Sequence, residues 1–103
     1  MNSIISIKEY ADYHISDNIE SMENLQNQII SRMEGIEADL KRYKALARSG
    51  DFNGLDIFCG NASSALIHIM RDASRISTMK AENAVHGAWQ EICENIQKGE
   101  QEA

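Results

Sequence analysis

Midway along a proline-free chain of 103 residues, the stretch Ser49-Gly50-Asp51-Phe52-Asn53-Gly54 separates two runs whose apolar residues recur every three and four positions. Proline is the strongest helix breaker, so its absence leaves only glycines and capping residues as punctuation. A three-and-four spacing lines up one face of an α-helix. The chain is therefore expected to be all-α, an antiparallel, coiled-coil-like helical hairpin of two long helices. One domain of residues 1–103 would hold a helix over about 7–48, a turn over 49–53, a helix over about 54–98 and a frayed tail over 99–103.

Capping chemistry supports the break. Lys41, Arg42, Lys44 and Arg48 lie toward the end of the first run, where cations complement the helix dipole, and Gly50 suits the left-handed residue that stops a helix. Asn53 is the expected N-cap of the second helix, with Asp56 in its first turn and Phe52 and Ile57 spaced as a hydrophobic staple. Asn61 after Gly60 is a rival start. Ser6-Ile7-Lys8-Glu9 reads as a capping box for the first helix, with Ile5 and Tyr10 as its staple, and Gly99 as the stop of the second. Whether Gly35, Gly60 or Gly87 breaks a helix stays open at this level.

The expected seam on the first helix runs Ile15, Ile19, Met22, Gln26, Ile29, Met33, Ile36, Leu40, Tyr43, Ala47. On the second it runs Leu55, Cys59, Ala62, Leu66, Ile69, Ala73, Ile76, then fails at Lys80, Asn83 and Gly87. Folding at Asp51 sets Leu40 by Ala62, Ile36 by Leu66, Met33 by Ile69 and Ile29 by Ala73. One seam leaves Leu25, Ile30, Phe58, Ile67, Met70, Val85 and Trp89 without cover. That surplus predicts a dimer, as in a four-helix bundle.

A formal charge of −6 argues against nucleic acid as a partner. With no leader or membrane-length apolar run, no membrane partner and a cytoplasmic location are expected, with Cys59 and Cys93 as reduced core thiols. His86 and Cys93, seven apart, are about 10.5 Å apart along a helix and cannot share one ion, and His68 with Asp72 is only a pair. His14 falls at helical spacing from Tyr10 and Asp17, a polar cluster that reads as surface or interface. No metal, cofactor or catalytic residue is expected, and an enzyme is not. Folding at Asp51 gathers Tyr10 and Tyr13 beside Trp89 and Ile92, ringed by Glu9, Asp12 and Asp17. These seven are the candidate partner-binding residues. The competing reading is an aromatic plug closing the bundle.

The midpoint tripeptide Phe52-Asn53-Gly54, with two long helices in about a hundred residues, resembles the Trp-x-Gly hairpin proteins exported by type VII secretion. Phe replaces the Trp, and no Tyr-x-x-x-Asp/Glu export signal follows Gly87. That resemblance implies an exported hairpin with a dedicated partner. The leading expectation is a non-enzymatic module that occupies the surface of another protein with a basic face. Inhibitors of the phage and mobile-element anti-defence type, secretion chaperones and regulatory adaptors all fit it.

Overall fold

A computed structural model of the protein describes the backbone of residues 2–102 and the side chains of residues 6–101. It is an all-α hairpin of two helices packed on each other, α1 (Asn2–Arg48) and α2 (Leu55–Glu102), with no strand among the described residues. No described helix is long and apolar enough to cross a membrane. Packing divides the chain into two compact units, a turn unit of Asn24–Ser74 and a terminal unit of Met1–Glu23 with Arg75–Ala103.

In the turn unit, α1 ends in a Schellman motif. The Asp51 N–H donates to the Leu46 carbonyl at 2.9 Å and the Gly50 N–H to the Ala47 carbonyl at 3.0 Å, with Gly50 at φ 82°. The Asp51 carboxylate then accepts from the Asn53 N–H at 3.0 Å, an Asx turn. The start of α2 falls one residue later than the sequence suggests. Gly54, not Asn53, is its N-cap, since the Phe58 N–H donates to the Gly54 carbonyl at 2.9 Å. Asn53 is thus one position short of capping, and the expected staple is not made: Phe52 and Ile57 are both exposed. Phe58 instead packs on Tyr43, their ring centroids 5.1 Å apart. Gly54 is also at φ 82°, and a Cβ there would stand 3.2 Å from the Tyr43 ring.

The outer ends also differ from expectation. α1 is already helical at Asn2, so Ser6 is not its N-cap, and the Ile5 half of the second staple lies outside the described side chains. α2 runs through Gly99 to Glu102, so residues 99–102 are helix and not a frayed tail. Gly35, Gly60 and Gly87 are also passed without a break. A single interior glycine costs about 1 kcal/mol relative to alanine, too little to stop helices of this length, and Asn61, the rival start beside Gly60, lies inside α2.

Half of the expected seam is in place and half is shifted by one residue. In the turn unit the inward rows are Leu25, Ile29, Arg32, Ile36, Asp39 and Tyr43 on α1, facing Leu55, Phe58, Ala62, Ala65, Ile69 and Asp72 on α2. Ile29, Ile36 and Tyr43 stand as expected. Met33 and Leu40 do not, and are 46% and 53% exposed. The shift puts Arg32, Asp39 and Asp72 in the seam, and two of them answer each other: Arg32 Nη1 donates to Asp72 Oδ2 at 2.6 Å. Asp72 therefore faces α1, not His68.

In the terminal unit the seam does not fail after Ile76. It continues through Met79, Asn83, His86, Gln90 and Cys93, opposite Ala11, Ile15, Asn18 and Met22. Its polar members have partners: Asn18 Nδ2 donates to Asn83 Oδ1 at 2.9 Å and to Glu82 Oε2 at 3.2 Å, and Gln90 Nε2 donates to Asp12 Oδ1. Each of these cross-helix pairs straddles Asp51 to within a residue, so the expected centre of the fold holds. Cys93 is buried as expected, but Cys59 is exposed, because its row is the one turned outward.

Two expectations follow. Ala at Gly50 meets open space and carries only the left-handed backbone cost of about 1 kcal/mol. Ala at Gly54 adds the Tyr43 contact, so urea denaturation should show Gly54→Ala as the more damaging, by up to about 1 kcal/mol. Asp72→Ala should cost about 2 kcal/mol by leaving Arg32 uncompensated in the seam, whereas Arg32→Leu with Asp72→Leu should recover most of that loss.

Candidate functional site

The terminal unit is chemically unlike the turn unit. Asn24–Ser74 carries six acidic and six basic side chains, while the terminal unit carries ten acidic and four basic. The whole formal charge of −6 therefore belongs to the terminal unit.

An apolar groove of about 420 Å³ opens in that unit. On α1 it is lined by Ser6, Ile7, Tyr10 and Ala11, which share one helical face by their spacing; on α2 it is lined by Val85, His86 and Trp89. Ala11 is buried and forms a small floor. Ile7, Tyr10, Val85 and Trp89 stand as exposed walls. Almost all of the lining is carbon; the His86 imidazole and the Ser6 hydroxyl are the polar groups at hand.

A run of rings braces the groove from one side. Tyr10 lies against His14 with centroids 4.2 Å apart and meets the His86 ring edge-on at 5.9 Å. His14 and His86 stack across the two helices at 5.3 Å and 13°. Tyr13 meets His14 edge-on at 5.4 Å. Such contacts restrict the rotamers of the rings, which lowers the entropy lost when a ligand packs on them.

The expected cluster is brought together in part. Tyr10 and Trp89 line the groove. Tyr13 joins through His14, and Asp12 is held near it by Gln90. Ile92, Glu9 and Asp17 are exposed and do not line it. Sequence reasoning missed Ser6, Ile7, Ala11 and His86 as lining residues. Part of the signal was present: Ile7 with Tyr10 and Val85 with Trp89 have helical spacing, but folding at Asp51 sets Trp89 level with Tyr13 and Val85 level with Asp17, so the groove was not to be read from levels alone. Among the described residues no group of three or more His, Cys, Asp and Glu side chains converges as metal ligands would.

No family model matches the chain, and no curated protein or solved structure compared with it matches either.

The groove is expected to take up an apolar fluorescent dye close to Trp89, the only tryptophan in the chain. Energy transfer from Trp89 to the dye should report occupancy. Val85→Glu should abolish that transfer while changing stability by no more than about 0.5 kcal/mol, since Val85 is a surface position.

Proposed function

We propose that this protein is a non-enzymatic binding module that works by occupying a basic, apolar segment of another protein with the groove of its terminal unit. The observation that carries this reading is the coincidence of one apolar, aromatic-walled groove with the unit that holds all of the chain's net negative charge. Tyr10 and Trp89 are of the residue types most enriched at binding hot spots. Acidic surroundings steer a basic partner by raising its association rate more than its affinity.

The groove's near lack of polar groups favours apolar side chains of a protein over a small polar metabolite, whose orientation needs several placed donors and acceptors. Charged residues on the partner would remain at the rim, where Glu9 and Asp12 flank Tyr10 in sequence. An inhibitor and an adaptor would use this surface in the same way.

The test pairs two classes of variant in a binding assay with a partner captured from source-cell lysate. Trp89→Ala should weaken binding by about 2 kcal/mol or more, mainly through faster dissociation, with the melting temperature nearly unchanged. Glu9→Lys with Asp12→Lys should slow association and flatten its dependence on salt. A large loss of melting temperature in Trp89→Ala, with binding intact at low temperature, would show that the aromatic cluster is a structural plug.

A further inference from the structure

The outward-turned half of the expected seam forms a second apolar surface, independent of the groove and confined to the turn unit. Because α1 and α2 run antiparallel, the rows one residue past their inward rows flank the seam on the same side. On α1 that side carries Ile30, Met33 and Leu40, interleaved with Glu37 and Lys44. On α2 it carries Cys59, Leu66, Met70 and Ala73, with Ile67 beside them. All of these large apolar residues are exposed, Met70 by 70%. From Cys59 to Ala73 the row one residue past the seam on α2 is Cys59, Ser63, Leu66, Met70 and Ala73, with no charged side chain.

We infer that this face is the contact surface between two copies of the chain, packed face to face across a two-fold axis perpendicular to the helices near the level of Asp39. Three observations converge on a second copy as the occupant. The chain exposes 7588 Å², against about 5,800 Å² for a compact folded monomer of its mass. The excess is more than the roughly 800 Å² that each partner buries in a standard interface. The turn unit has equal numbers of acidic and basic side chains, so two copies meet there without net repulsion.

The third observation is the order of charges along this side of α1 and its outer edge. Glu34 and Glu37 come first, and Lys41 and Lys44 follow at the same spacing. A two-fold contact must be self-complementary, because every residue on one copy meets the reverse sequence on the other. Reversal about position 39 sets Glu37 opposite Lys41 and Glu34 opposite Lys44, in both directions at once. The same reversal on α2 sets Leu66 over Gly60, a large side chain over a position where nothing stands within 4 Å of a built Cβ.

Sedimentation equilibrium of the full chain at micromolar concentration tests the inference. The wild type should be a dimer. Leu66→Glu and, separately, Met70→Lys should each weaken it by about 100-fold or more with helicity by circular dichroism unchanged. Glu37→Lys should weaken the dimer several-fold, and Glu37→Lys with Lys41→Glu should restore it, because the swapped charges again oppose each other across the axis. A wild type that stays monomeric would overturn the inference. So would a dimer that survives both apolar-face variants, which would place the contact elsewhere. A double charge swap that fails to restore affinity would overturn the antiparallel two-fold arrangement.

Discussion

The interaction on which the hairpin depends is the matching of polar side chains across its seam. A buried charge or amide without a partner costs several kcal/mol, while an apolar side chain slipped by one turn still finds apolar neighbours. Arg32 has its counter-charge in Asp72, and Asn18 finds Asn83 and Glu82. Leu, Ile and Met rows supply adhesion; these pairs exclude the neighbouring registers. Polar seam residues that specify alignment at some expense of stability are known from coiled coils, and this chain uses several in succession.

That choice also explains where sequence reasoning stopped short. On α1 the rows containing Ile19, Met33 and Leu40, or Asn18, Arg32 and Asp39, both alternate correctly with Ile15, Ile29 and Ile36. Hydrophobicity taken one helix at a time selects the first. The structure uses the second, because Arg32 and Asn18 have partners at the corresponding levels of α2 and the apolar row has no need of being inside. The information was in the sequence, but only in the two halves together: counting outward from Asp51 pairs Asn18 with Asn83 to within one residue and Arg32 with Asp72 to within two. The turn was more legible, since Gly50 and the basic run marked its near side directly. Its far side moved by one residue, because Asp51 engaged the Asn53 N–H and left the cap to Gly54. No local rule anticipates that Tyr43 would press on Gly54 from the other helix.

The candidate site was legible in outline for a different reason. Aromatic residues are scarce in this chain, six per cent of it, so finding Tyr10, Tyr13 and Trp89 at comparable distances from the turn was informative. The histidines are harder. Helical spacing ties His14 only to Tyr10 and Asp17 on its own helix, and His86 stands out in the sequence only as a metal ligand without companions. Their stacking across the two helices depends on the seam continuing into the terminal unit, which the apolar pattern alone does not show.

The unequal treatment of the two thiols gives the molecule an internal clock. Cys59 is exposed on the single chain, on the face assigned to the contact between copies, whereas Cys93 is sealed in the seam of the terminal unit. In the separated chain a thiol probe therefore reacts at Cys59 at a rate set by its own chemistry. At Cys93 it must wait for α1 and α2 to part locally, so the rate reports how often that unit opens. A ligand seated against Ala11 and His86 would hold the same two helices together and slow the second reaction without touching the first.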